Sequence, residues 1–313
     1  MMDGSGIDPF LQDVLTGLAR DQKTVPSRWL YDARGSRLFD DITELDEYYP
    51  TRTELTILNE QAAAIAEAIG PDAVIVEYGA GSLLKVRILL DALERPKAFV
   101  PVDISSEHLK GAADELKSVY GDLDVYPVAA DFMDTNLGSN LPSGGGRRAG
   151  FFPGSTMGNL LDKDIDSFLR TTREDLGDGA CFIIGLDQPK SPDILVPAYD
   201  DAKGVTADFN LNLLRRINRE LGGNFDLDSF EHEARWNSAD SRIEMHLRSL
   251  KAQSVEVAGR TFKFEEGETI HTENSRKIAL DRFAKMAESA GWELTRKWTD
   301  AKGLFAVVLL EAR

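Results

Sequence analysis

Apolar positions along the chain follow two rhythms. Up to about residue 186, short apolar runs alternate with stretches of helical spacing. Residues 73–76 lead into Gly79-Ala80-Gly81, after which Val86, Ile88, Leu89, Leu90 and Leu93 recur at the spacing of one helix face. A second run, 98–102, stops at Asp103, and a helix capped at Ser105-Ser106 is expected from there to about Tyr120. Residues 125–128 predict a third strand ending near Asp131, and 149–153 a fourth that enters the small-residue loop Gly154-Ser155-Thr156-Met157-Gly158-Asn159. A helix over 162–176 and a fifth strand over 180–186 complete the series. Strands alternating with helices in this way predict a parallel, doubly wound sheet with helices on both faces.

Past Lys190 the rhythm changes. Residues 206–221 predict a long helix, 242–264 two strands around Ala258-Gly259-Arg260, and 274–290 a helix ended by Gly291. Residues 292–298 and 304–310 predict a terminal hairpin about Asp300-Ala301-Lys302-Gly303. Five parallel strands closed by an antiparallel hairpin resemble the strand inventory of Rossmann-like class I methyltransferases. The fold class expected is therefore α/β, with a second α+β domain inserted.

Composition narrows the function. The chain has 313 residues, 42% of them hydrophobic and 28% charged, which are globular values. Its 53 acidic and 36 basic residues give a formal charge of -17, so the phosphate backbone of a nucleic acid is repelled and no nucleic-acid partner is expected. Cys181, the single cysteine, sits in an apolar run and has no disulfide partner within the chain. A buried, inert thiol and a reducing, cytoplasmic compartment follow as expectations. The first residues lack a basic region followed by an apolar core, and no segment reaches the roughly 18 apolar residues of a membrane span, so neither export nor membrane insertion is expected.

Candidate chemistry gathers at the strand ends. Gly79 and Gly81 let backbone approach a ligand where the first strand turns into its helix, although a plain structural turn uses the same pair and Leu84 stands where a third glycine would complete a dinucleotide loop. Asp103, at the end of the next strand, offers an acceptor for two ribose hydroxyls. Asp131 and Phe132, one strand further, offer a carboxylate for an adenine amine and an apolar face for its ring. Acids such as Glu77 suit a sulfonium better than a pyrophosphate, so S-adenosyl-L-methionine is the expected cofactor, with Lys85 on its carboxylate. The four histidines, His108, His232, His246 and His271, show no metal-ligand spacing, and no metal is expected.

Several blocks carry a family resemblance over nearly the whole chain. They include Tyr31-Asp32-Ala33-Arg34-Gly35-Ser36, Glu47-Tyr48-Tyr49-Pro50-Thr51-Arg52-Thr53-Glu54, the loop at 154–159, Ala198-Tyr199-Asp200-Asp201, Phe225-Asp226-Leu227-Asp228, Arg242-Ile243-Glu244-Met245 and Thr272-Glu273-Asn274-Ser275. The sequence resembles the histidine Nα-methyltransferases of ergothioneine biosynthesis, which convert histidine through its mono- and dimethylated forms to the betaine hercynine. The resemblance implies a cofactor domain over 54–189 and 278–313 and a substrate domain over 1–53 and 190–277. It further implies that Tyr48, Glu273 and Ser275 hold the imidazole, that Asn159 and Tyr199 hold the amino-acid end, and that Met245 belongs to the histidine-selective pattern. Tyr31 would sit near the amine and take its proton, directly or through water, as a phenolate. Blander roles suit each residue singly: tyrosines as half-buried core, Asn159 as a helix cap, Glu273 as surface charge. Departures exist at Leu83-Leu84, where small or polar residues are expected. A methyltransferase for another small amino acid, or a silent adenosyl-ligand sensor, are the alternatives, and a monomer is expected.

Overall fold

The structure, a computed structural model, describes residues 8–313 apart from 82, 105, 134–136, 139, 140 and 143. The cap expected at Ser105 and the first seven residues lie outside the described ones. Two compact units share the chain: one takes Met1–Tyr49 with Lys190–Arg276, the other Pro50–Pro189 with Lys277–Arg313. The crossings at 49/50, 189/190 and 276/277 compare with 53/54, 189/190 and 277/278 in the sequence expectation. The N-terminal difference arises because Pro50 is already inside the helix Tyr49–Ile69, whose Ile57, Leu58 and Ile65 are buried.

The larger unit is built on a sheet ordered Trp292–Thr299, Phe305–Ala312, Cys181–Asp187, Arg148–Phe152, Val74–Tyr78, Ala98–Asp103 and Asp124–Val125. The four strands from Cys181–Asp187 to Ala98–Asp103 pair in parallel, and Phe305–Ala312 and Trp292–Thr299 run antiparallel at one edge. Every residue of Val74–Tyr78 and Cys181–Asp187 is buried, as expected of strands covered on both faces. One face packs Phe168, Leu169, Phe283 and Ala287 from helices Asp162–Leu176 and Leu280–Ser289. The other packs Ile57, Leu58, Leu89, Leu90 and Leu116 from Tyr49–Ile69, Leu84–Ala92 and Ser106–Val119. Parallel strands closed by an antiparallel pair at one edge are the inventory expected from the sequence.

The third strand departs from expectation. Instead of one run over 125–128 there are two two-residue pieces, Asp124–Val125 and Val128–Ala129, both parallel to Ala98–Asp103. Pro127 lies between them, and a proline, having no N–H to donate, interrupts a ladder and is tolerated at a sheet edge.

The smaller unit holds a sheet ordered Lys23–Thr24, Thr269–Arg276, Arg242–Ser249 and Phe230–Asn237. A separate ribbon pairs Gln253–Val257 with Arg260–Phe264. Residues 242–264 thus form three strands and not two, broken at Leu250-Lys251-Ala252. The helix Val205–Leu221 buries Phe209, Leu213, Leu214 and Ile217 and ends on Gly222, whose φ of 62° suits a residue without Cβ. A larger correction concerns 274–290: Asn274, Ser275 and Arg276 end a strand, and the helix begins only at Leu280. Thr269, Thr272, Glu273 and Ser275 are all buried in that strand, so the apolar alternation that signals a strand is missing.

Candidate active site

In the smaller unit, strand pairing sets the geometry. Thr269–Arg276 runs antiparallel to Arg242–Ser249, with His271 opposite His246 but Glu273 opposite Met245, so Thr272 is an extra residue on its strand. Directly paired side chains share a face and successive ones alternate. Without the bulge His271 and Glu273 would point the same way; with it, Glu273 and Ser275 join Met245 on one face, and His271 joins His246 on the other. The bulge is held by Thr272 Oγ1, which donates toward Asn210 Oδ1 at 2.7 Å and lies 3.1 Å from Met245 O, while Asn210 Nδ2 donates to His246 O at 3.0 Å.

Aromatic side chains gather on the Glu273 face. Tyr31 OH lies 3.5 Å from Glu273 Oε1, at the limit of a hydrogen bond, and Tyr199 OH shares a 2.6 Å hydrogen bond with Ser275 Oγ. Tyr31 packs edge-on against Phe39 and Phe209, Phe39 against Tyr48, and Tyr48 against Tyr199, with ring centroids 5.4 to 6.2 Å apart. Glu273 is 8% exposed and Met245 2%, so Glu273 is no surface charge. His232 Nε2 lies 2.7 Å from Tyr199 O and anchors that segment. Phe39 and Phe209 were not singled out from the sequence, since a lone aromatic on an amphipathic helix looks like ordinary core.

The proton-acceptor role expected of Tyr31 has the electrostatics of the protein against it. Its hydroxyl is raised well above the usual tyrosine range, first by burial and then by the negative charge of Glu273. Both effects disfavour a phenolate, and the hydroxyl is placed as a donor toward Glu273.

In the larger unit, Gly79 has φ 73°, and its N–H and that of Ala80 both donate to Val102 O, at 2.8 and 3.0 Å. This hook exposes the backbone at the carboxyl end of Val74–Tyr78. A Cβ on Gly81 would meet nothing within 4 Å, whereas one on Gly79 would reach the Phe132 ring at 3.9 Å. Gly79 and Phe132 are thus brought together. Phe132 also stacks edge-on with Phe152 and Phe168, and Asp131 Oδ1 accepts from Met133 N at 2.9 Å. Of the departures, Leu83 packs against the core and Leu84 is exposed.

Lys85 has a partner that the sequence did not reveal. Its Nζ lies 2.7 Å from Glu54 Oε2, and the Glu54 carboxylate also accepts Gly154 N with both oxygens at 2.9 Å. Glu54 is 1% exposed. Gly185 makes room for it, since a Cβ there would come within 2.0 Å of Glu54 Oε1. The loop at 154–159 is held at two points, by Glu54 on Gly154 and by Asp187 N donating to Ser155 Oγ at 2.9 Å. Asn159 ends the short turn Thr156–Asn159 and does not cap the next helix, whose N-cap is Leu161.

Glu77 tests whether these residues suit S-adenosylmethionine. Its Oε2 is buried with no hydrogen-bond partner among the described residues, and burial pushes its carboxyl up to about 8, with Lys85 pulling it down and Asp103 and Glu54 pushing it further up. An orphaned acceptor among acids awaits a cation, and the cofactor carries an ammonium and a sulfonium, so the donor set fits it. Only ionised Glu77 pairs with a cation, so below its ligand-free pKa binding must expel a proton. Cofactor affinity is therefore expected to rise with pH by up to about tenfold per unit and to level off above pH 8. Calorimetry in buffers of different ionisation enthalpy reads the released proton. Equal proton release from Glu77→Gln would refute this assignment.

Sequence spacing offers no metal-ligand pattern, yet Glu244, His246 and His271 offer ligand atoms all within 4.8 Å of one another. Strand pairing brings together what the sequence separates. Cys181 is buried, and burial pushes its thiol up to about 12, as an inert thiol requires. Among the described residues no helix is long and apolar enough to cross a membrane.

Comparison with known proteins places this geometry. The family described as histidine-specific, SAM-dependent methyltransferases matches residues 10–312. The chain is 43% identical over 310 residues to the histidine N-alpha-methyltransferase of Mycolicibacterium smegmatis, covering 97% of this chain and 95% of that one. It is 42% identical over 303 residues to the enzyme of the same name from Mycobacterium tuberculosis, covering 95% and 93%. A solved structure from Bordetella parapertussis, described as a possible exported protein, is similar in fold alone, with TM-score 0.51 and 13% identity over 96% of this chain and 86% of that one. The chain belongs to the histidine-specific, S-adenosylmethionine-dependent methyltransferases.

Proposed function

We propose that this protein methylates the α-amine of L-histidine, through the mono- and dimethylated amines, to hercynine, the betaine of ergothioneine biosynthesis. The observation that carries this reading is the buried Glu273 beside Ser275, on a strand face that Tyr31 and Tyr199 also reach. A neutral imidazole offers one donor and one acceptor, which a carboxylate and a hydroxyl satisfy together. Tyr48 closes on the ring, and Met245 fills the position opposite Glu273.

S-adenosylmethionine supplies an electrophilic methyl group on a positively charged sulfur. Gly79 and Gly81 give its chain close passage, Asp103 accepts its ribose hydroxyls, Asp131 and Phe132 take the adenine, and Glu77 and Lys85 meet the ammonium and carboxylate of the methionyl end. Asn159 and Tyr199 position the substrate's amine and carboxylate, so that catalysis is chiefly alignment. Tyr31, held protonated, donates toward Glu273 and keeps that carboxylate aimed. The charge of -17 disfavours nucleic acid, and a single buried thiol suits the reducing cytoplasm. A monomer suffices for these roles.

Mass spectrometry of products after incubation with S-adenosylmethionine and each of the twenty amino acids tests the reading. Histidine is expected to gain three methyl groups while the others gain none. Turnover of another amino acid in preference to histidine would overturn it.

A further inference from the structure

We propose that Glu244, His246 and His271 form a structural binding site for a divalent zinc-type cation, on the face of the small sheet opposite to Glu273. Their ligand atoms lie within 4.8 Å of one another. Metal-bound histidines donate the second ring N–H to an oxygen, which sets the tautomer. Both rings here have such a partner: His246 Nδ1 lies 3.1 Å from Thr269 Oγ1, and His271 Nε2 lies 3.1 Å from Glu273 O. His246 Nε2 and His271 Nδ1 are then the nitrogens that would face the cation, which takes the place of the proton His246 Nε2 shares with Glu244 Oε2.

The carboxylate is prepared in the same way. Glu244 Oε1 is fixed by Arg242, at 2.6 and 2.7 Å, and by Asn237 Nδ2 at 2.9 Å, while Oε2 turns to His246 Nε2 at 3.2 Å. Arg235, which faces Glu244 across the strands, is engaged by Glu233. A second, independent observation is Asn274 Oδ1 on the same face, a buried neutral oxygen turned toward the His271 ring.

The rings stack with centroids 4.7 Å apart and planes 16° off parallel. Tetrahedral zinc with bonds of about 2.0–2.1 Å needs ligand atoms about 3.3 Å apart. The cluster must contract, and the partly exposed His271 can rotate to allow it. Two histidines and one carboxylate leave a fourth position for water, and they suit zinc better than the all-oxygen preference of calcium or magnesium. The site ties the two strands together at the bulge that turns Glu273 to its own face.

The test uses the full chain without an affinity tag, stripped of metal and equilibrated with Zn²⁺. Elemental analysis after gel filtration should find about one zinc per chain, with a rise in Tm that a chelator reverses. His271→Gln should weaken zinc binding at least tenfold, and Thr269→Val, which leaves all three ligands in place, by about tenfold. S-adenosylmethionine affinity should not change in either. Failure to retain zinc, or equal retention by His271→Gln and Glu244→Gln, would overturn the site. Should one of these fail to fold, the Thr269→Val result decides alone.

Discussion

Glu273→Ala is expected to lower kcat/KM for histidine by between about 30-fold and a few thousand-fold, the equivalent of losing a buried charge-assisted hydrogen bond of about 2–5 kcal/mol. Glu273 is 8% exposed, opposite the buried Met245, with Tyr31 OH at 3.5 Å from its carboxylate. A phenylalanine or tryptophan in the same place would offer that buried carboxylate no imidazole N–H, which is how polar sockets reject analogues by about 10⁴ or more. Removing the acid abolishes this penalty, so the preference for histidine should shrink even as histidine turnover falls. Cofactor affinity should hold, since Glu273 belongs to the small unit and the strand-end acids to the large one. Measuring kcat/KM for histidine, phenylalanine and tryptophan in both proteins decides the matter. An undiminished preference for histidine would move selectivity elsewhere, Tyr48 being the next residue to change.

The second large effect is on stability. Lys277 Nζ lies 2.7 Å from Asp187 Oδ2, with side-chain exposures of 0% and 1%. Asp187 ends the strand Cys181–Asp187, its N–H donates to Ser155 Oγ, and its carbonyl accepts Ile278 N at 3.3 Å. Truncating one member of so deeply buried a pair strands the other charge. Lys277→Met should therefore cost about 3–5 kcal/mol, whereas Lys277→Met with Asp187→Leu should recover most of it, because two apolar residues need no partner. Thermal and denaturant unfolding of both single variants and the double variant reads the coupling. Additive losses would show that each side chain acts alone.

How much of this was legible beforehand divides by type of burial. The core strands of the large sheet stood out because Val74–Tyr78, Ala98–Asp103, Arg148–Phe152 and Cys181–Asp187 bury mainly apolar side chains, and local hydrophobicity reports that directly. The third strand departs from its apolar pattern only where Pro127 interrupts its ladder. Thr269–Arg276 carries no such signal because its buried positions, Ile270 apart, are Thr, Glu, Ser and Arg, stabilised by partners such as Asn210 and Tyr199 that are distant in sequence. No local pattern carries that information.

By itself the sequence determined the sheet, the glycine turn at Gly79 and the identity of the polar residues at 273 and 275, since each depends on residue type or on near neighbours. The tertiary structure decided how those residues are aimed and charged. One extra residue at Thr272 separates Glu273 from His271 on opposite faces, a register effect with period two that sequence spacing does not contain. Burial beside Glu273 raises the Tyr31 hydroxyl above the usual tyrosine range. Lys85 meets Glu54 across 31 positions of chain, and His246 meets His271 across 25. Hydrophobic patterning records only the transfer of apolar surface out of water, whereas pairing of buried polar groups depends on distances that exist only once the chain has folded.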